Sequence, residues 1–170
     1  MLPNECTRVR QKHMQDEYKI TTGGSEHHDA MVALLPLLAS FELPRDRVAE
    51  HLWHGDRDMI SAWARGSKPE CFARVALARD GALLGFAFVS MREEMMSHAP
   101  SAHLEVLVVA QTARRLGLGA TLSNAAEAEA AARGAQSITL HVFGNNKRAR
   151  SLYSKLGYDE EILRCTKRLE

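Results

Sequence analysis

Leu104-Glu105-Val106-Leu107-Val108-Val109 runs directly into Ala110-Gln111-Thr112-Ala113-Arg114-Arg115-Leu116-Gly117-Leu118-Gly119-Ala120, and this junction decides the fold. The β-branched, alternating first part predicts a strand over residues 103–109, with Leu104, Val106 and Val108 on one face. The second part is a short polar loop whose Gly-x-Gly turn opens a helix. A helix start leaves its first amide N–H groups without internal partners and carries a partial positive charge. Gly117 and Gly119 lack side chains, so phosphate oxygens can reach those amides, and Arg114 or Arg115 can add charge-assisted hydrogen bonds. A Rossmann fingerprint would need glycine where Leu122 stands, and a P-loop would need a Gly-Lys-Ser/Thr ending, so neither fits.

Upstream, residues 72–78 and 83–91 are apolar runs joined through Arg79-Asp80-Gly81-Ala82, a hairpin signal because Asp-Gly tolerates positive φ. Residues 92–101 read as a polar loop. Earlier still, a first strand is expected at residues 18–22, then a helix from about Glu26 with Pro36 as kink or boundary. A second helical zone spans residues 45–63, with Val48, Leu52 and Trp53 as its buried stripe and Gly55 as a divider. Downstream, an alanine-rich helix from Leu118 ends at Gly134, a natural C′ residue. Residues 137–143 read as a strand, 145–156 as a helix and 158–169 as a closing strand. The order βααβββαβαβ predicts an α/β (α+β) fold: a mixed, mostly antiparallel central sheet flanked by helices. Residues 1–16 read as a leader and 17–170 as one domain.

The chain has 170 residues, 45% hydrophobic and 25% charged, with a formal net charge of +1. That balance gives no broad field for nucleic acid or an anionic membrane and favours a small or neutral partner. No run of about 18 apolar residues is present, so no membrane span is expected. Cys6, Cys71 and Cys165 are odd in number and lack CxxC spacing, which fits a reducing cytoplasm better than a disulfide framework or zinc ribbon.

A second segment, Asn145-Asn146-Lys147-Arg148-Ala149-Arg150-Ser151-Leu152-Tyr153-Ser154-Lys155-Leu156-Gly157-Tyr158, begins with an Asn suited to N-capping. It lines Ala149, Leu152, Tyr153 and Leu156 along one helical face. Together the two segments resemble the GNAT superfamily of N-acetyltransferases. Arg114 through Gly119 matches its Arg/Gln-x-x-Gly-x-Gly/Ala coenzyme A motif, and Asn146 through Tyr158 its Asn-x-x-Ala-x-x-Leu-Tyr-x-x-x-Gly-Phe/Tyr motif. The resemblance is specific from about Phe72 to Lys167. Gln111 departs from it where many members carry proline.

The resemblance implies the acyl-CoA N-acyltransferase fold, acetyl-CoA as co-substrate and no metal. It implies that the strand bearing Leu107, Val108 and Val109 splays from its neighbour and pairs with the pantetheine arm like an added strand. The turn of Arg114, Arg115, Leu116, Gly117, Leu118, Gly119 and Ala120 then cradles the pyrophosphate. Asn146 and Arg150 contact the coenzyme, and the Tyr153 hydroxyl lies near the sulfur. An amine of lysine-like pKa, about 10.4, must lose a proton before attack. Glu105, alternating onto the face of Leu107 and Val109, is the candidate base, directly or through water. The Val109 N–H can stabilise the oxyanion, and Tyr153 can protonate the departing thiolate. His103 and His98 are alternative bases at the loop edge. Direct attack is expected, because no cysteine lies near these motifs in sequence.

His27-His28-Asp29 and His51-x-x-His54 lack a third ligand at metal-site spacing, so no metal is expected. Met91, Met95 and Met96 read as core filling or exposed loop. Glu93, Glu94 and Glu105 could form an acidic cleft that attracts a cationic amine. The acceptor expected from the resemblance is a primary amine of a small molecule, while a conspicuously acidic cleft would favour an aminoglycoside. The alternatives are a protein or peptide amine, an aminoglycoside, or no acceptor at all in a non-catalytic acyl-CoA-binding regulatory module. A homodimer through the strand near Ile162 or the early helices is a further expectation.

Overall fold

The structure, a computed structural model, describes residues 18–45 and 47–169; the leader expected at residues 1–16 lies outside the described residues. Five strands lie side by side in chain order: β1 (Tyr18–Thr22), β2 (Cys71–Ala78), β3 (Leu83–Glu93), β4 (Pro100–Val109) and β5 (Ser137–Leu140). The first three pairings are antiparallel and β4–β5 is parallel. Four helices complete the α/β fold: α1 (His28–Leu34), α2 (His54–Ala64), α3 (Leu118–Ala132) and α4 (Lys147–Lys155). No helix among the described residues is long and apolar enough to cross a membrane.

Strand alternation gives the sheet two apolar faces. On one, Phe72, Ala87, Val89, Ala102 and Leu104 meet Leu118, Leu122, Ala126 and Ala130 of α3. Those four recur every fourth residue, the stripe of a helix lying flat on a sheet. On the other face, Val75, Phe86, Phe88, Val106 and Val108 meet Met31, Leu35 and Ile60 from α1, its following turn and α2. Each fully buried Leu, Ile or Phe contributes about 1.5–3 kcal/mol of apolar transfer, so the two layers hold the sheet from both sides.

One irregularity positions everything that follows. Phe88 pairs with Val106 and Val89 with Leu104, so Glu105 is skipped: it is an extra residue bulged out of β4. A bulge reverses the side-chain parity beyond it and bends its strand. Leu104 therefore packs on the α3 side while Val106 and Val108 pack on the α2 side, which corrects the single face expected for the three. Leu107 and Val109 pack on the α3 side, whereas Glu105 bonds Ser90 and Arg92, so these residues do not share a face with the glutamate. The parallel ladder to β5 also stops here, its last pair being Leu104 with Leu140.

Several other boundaries differ from the sequence reading. The second helical zone breaks at Trp53, between a 3₁₀ turn at Ala49–Leu52 and α2, and Gly55 lies inside the helix. Val48 is 50% exposed, and the stripe on the sheet is Trp53, Met59, Ile60 and Trp63 instead. The loop after β3 is shortened to residues 94–99, because both strands extend into it. Residues 158–169 form no strand. Ile162 and Leu163 are adjacent apolar residues set among charges, so pairing would put one of them on each face and bury neither stripe.

Gly85 pairs with Val109 at the end of the β3–β4 ladder, and a Cβ there would lie 2.6 Å from the Val108 carbonyl oxygen. Gly85→Ala is therefore expected to destabilise the fold by about 1–3 kcal/mol in urea denaturation. Gly144→Ala, with open space around its added Cβ, is expected to change stability by less than about 0.5 kcal/mol.

Candidate functional site

Beyond Leu104, β4 continues to Val109 while β5 has ended, so the β5-facing backbone of residues 105–109 lacks a strand partner among the described residues. The chain then passes through a 3₁₀ turn at Gln111–Ala113 into α3. Arg115 and Gly117 adopt left-handed φ values of 70° and 73°, the second as the residue before the helix. Gly117 has no side chain to cap α3, and the first helical bond runs from the Thr121 N–H to the Gly117 carbonyl at 3.1 Å. The amides of Leu118, Gly119 and Ala120 thus have no intrahelical acceptor, at the positive end of a 15-residue helix. Leu118 is itself buried in the core and can offer only backbone. At Gly119 a Cβ would lie 3.3 Å from Leu152, so this glycine also lets α4 seat against the start of α3.

Charge gathers at the same turn. Arg114 donates to the Ser40 hydroxyl at 3.0 Å, and burial together with the nearby Arg148 guanidinium lowers its pKa. Two cations held this close favour an anion between them. Arg115 and Ala120 lie in the same turn, and Leu116 packs against the α3-side core. A loop over residues 40–45 touches both lips of the opening. Ser40 meets Arg114, the Phe41 ring lies 5.6 Å from Phe143, and Asn145 donates to the Glu42 carbonyl at 2.5 Å.

In the second motif each of the three side chains has a partner within the chain. Asn146 caps α4, its Oδ1 accepting the Ala149 N–H at 3.2 Å. Arg150 is engaged within the chain, with Glu160 at 2.6 Å and the Gly144 carbonyl at 2.9 Å. Tyr153 packs against the α3-side core and contacts the Tyr158 ring at 5.6 Å between centroids. Burial pushes its phenol up to about 12, so it stays protonated at neutral pH. No hydrogen bond to its hydroxyl is formed among the described residues.

On the α2 side of β4, Glu105 has a side chain only 12% exposed. Its Oε1 accepts from Ser90 Oγ at 2.6 Å and from the Arg92 guanidinium, which also donates to Ser90 at 2.9 Å. The Oε2 oxygen accepts no hydrogen bond among the described residues. His103 lies two residues earlier, 5% exposed, with Nδ1 2.6 Å from Thr139 Oγ1 and its ring 4.7 Å from that of His141. Burial and Arg92 push its pKa down to about 4, so it is neutral at pH 7 and a weak base. His98 lies in the exposed turn after β3, paired with Glu93 at 3.5 Å. Glu94 accepts amides of its own turn from Met96 and Ser97. The acidic partner near Glu105 is therefore not Glu93 or Glu94 but Asp56 of α2. Burial first, and the Glu105 charge second, push Asp56 up to about 6.

Asp56, Ser90, Arg92 and Arg148 are absent from the candidates drawn from sequence. Asp56 had a visible signal: it stands three residues after Trp53 and four before Ile60, a polar residue in a core-facing helical stripe. Ser90 and Arg92 required knowledge of strand register. Cys71 was also missed: it is buried on β2 in the electrostatic field of Glu105 and Arg92, but desolvation pushes its thiol up to about 11, which leaves it inert. No group of three or more metal-ligating side chains lies among the described residues.

No curated protein matches this chain. Solved structures do. A putative acetyl transferase from Pyrococcus furiosus shares 24% identity at a TM-score of 0.73, over 90% of this chain and 100% of that one. AAC(6')-Iy, in complex with the bisubstrate analog CoA-S-monomethyl-acetylneamine, shares 19% at 0.64, over 89% and 99%. Glucosamine-6-phosphate N-acetyltransferase from Arabidopsis thaliana shares 17% at 0.64, over 90% and 99%. These likenesses establish the fold, and the acetyltransferase (GNAT) family model matches residues 36–158, a span that holds the open strand, the glycine turn and the capped helix alike: the chain belongs to the GNAT acetyltransferase family.

Proposed function

We propose that the protein transfers the acetyl group of acetyl-CoA to a primary amine of a small molecule by direct attack. The observation that carries this reading is the meeting of an unpaired strand edge, residues 105–109, with the uncapped amides of Leu118, Gly119 and Ala120. An extended amide-bearing arm fits the first, and a diphosphate fits the second. Leu107, Val108 and Val109 offer backbone to the arm. Arg114, Arg115 and the turn from Leu116 to Ala120 hold the diphosphate, and Arg148 adds a further cation. Asn146 and Arg150 flank the arm at the start of α4, Arg150 after exchanging its contact with Glu160.

The Oε2 of Glu105 takes a proton from the ammonium, directly or through water, while Ser90 and Arg92 fix the carboxylate through Oε1. The freed amine attacks the thioester carbonyl. A C–N bond forms, the C–S bond breaks, and the Val109 N–H stabilises the oxyanion between those events. Tyr153 hands its phenolic proton to the departing thiolate and is reprotonated from the amine nitrogen or solvent. A phenol at about 12 is a weaker acid than an ordinary thiol of about 8.5, so it donates only as the C–S bond breaks. Direct attack is supported by Cys71, whose thiol at about 11 is no nucleophile at neutral pH.

A small acceptor fits the formal charge of +1, which offers no field for a polyanionic partner. Free thiols at Cys71 and Cys165 support a reducing cytoplasm, and exposed Ile162 and Leu163 supply apolar surface for a homodimer.

A thiol-release screen of acetyl-CoA against amines, peptides and aminoglycosides tests the reading, with turnover expected on a small amine. Tyr153→Phe is expected to lower kcat about 10²-fold with acetyl-CoA affinity within twofold of wild type by calorimetry. Gly117→Val places a β-branched residue at φ 73° and is expected to weaken acetyl-CoA binding about tenfold, the equivalent of about 1.4 kcal/mol. If wild-type protein gives no heat with either CoA or acetyl-CoA, the reading fails.

A further inference from the structure

Asp56 is a carboxylate where the fold calls for an apolar side chain. It stands in the first turn of α2, on the stripe of Trp53, Ile60 and Trp63 that packs against Phe88 and Val106. Val106 is the residue after the bulged Glu105, so this stripe brings Asp56 over the open part of β4. No hydrogen bond or ion pair to Asp56 is formed among the described residues. An unpaired, partly buried carboxylate costs stability, and replacing it with an apolar residue of similar size would remove that cost.

The groups around it do not neutralise it. From β4 comes Glu105, whose charge Arg92 of β3 already balances. The other titratable groups in the field of Glu105 supply no countercharge: His103 on β4, with His141 against its ring, is neutral, and Cys71 on β2 keeps its proton. Along α2, Arg57 is paired with Asp58 at 3.3 Å. One negative charge is left over, in the field of the Glu105 carboxylate.

We infer that Asp56 binds the ammonium of the acceptor and that the substrates are cationic primary amines, held between Asp56 and the free Oε2 of Glu105. This rests on the acetyl-transfer reading and narrows its substrate class. A single ammonium neutralises the leftover charge, and one bound between the two carboxylates stays on Asp56 while Glu105 takes its proton. Amines that also carry a phosphate would bring the charge back and are rejected. Asp56 acts only when ionised, so acceptor affinity falls as pH drops through about 6, where the carboxyl of the free protein takes up its proton.

The test is calorimetric titration of the CoA-saturated protein, a complex that cannot turn over, with spermidine, kanamycin A, tyramine and glucosamine 6-phosphate. At least one of the first three is expected to bind, tenfold or more weakly to Asp56→Asn and with partial recovery in Asp56→Glu, while CoA affinity stays within twofold. Wild-type affinity for that amine is expected to drop about tenfold between pH 7.5 and pH 5, and Asp56→Asn to lose most of this dependence. Equal affinity of wild type and Asp56→Asn, tighter binding of glucosamine 6-phosphate than of the cations, or no amine binding to a protein that does bind CoA overturns the assignment. Failure to bind CoA overturns the coenzyme reading instead, and Asp56 is then judged by the same amines titrated into the protein alone.

Discussion

The skipped pairing at Glu105 is the constraint on which the site depends. Because β4 carries one residue more than β3 can match, its side chains change faces halfway along. One stretch serves the α3 layer, and the next serves the α1–α2 layer. The pairing with β5 ends at Leu104 and Leu140, at the residue before the bulge. A polar side chain can occupy the bulge because it need not interdigitate with either core, whereas at a regular position it would displace a packed Val or Leu. The opening, its acidic floor and the shift of packing between faces therefore have one geometric cause.

Burial acts on the ionisable groups along that opening in opposite senses. It holds His103 neutral, keeps the Tyr153 phenol and the Cys71 thiol protonated, and raises Asp56 toward the pH at which cells work. Reactive roles fall to the groups whose environment leaves them a usable proton or lone pair, and a thiol within the field of the site is excluded by the same desolvation. Arg92 is half-exposed and Glu105 nearly buried, so the pair carries a desolvation cost that an ordinary surface ion pair does not.

Much of this was legible in the sequence. The first strand was read at residues 18–22, as found, and Gly134 takes the positive φ of the C′ residue it was read to be. Such features are local: a left-handed residue or an alternating run is written within a few neighbours. The parity of β4 was not legible, because a bulge is a relation between two strands and alternation alone cannot reveal it. Asp56 was obscured for a related reason, since helix and strand meet only in three dimensions. Residues 158–169 were read as the strand that closes the sheet, yet their charges leave no face to bury, and the segment is instead held by Arg150 through Glu160.

The loop over residues 40–45 has a mechanical consequence. It joins the two lips of the opening through one hydroxyl contact, one tilted ring pair and one side-chain amide. Net, each such hydrogen bond is worth only about 0.5–1.5 kcal/mol, far less than the buried sheet beneath. The contacts of this loop can therefore break at far smaller cost than any pairing within the sheet.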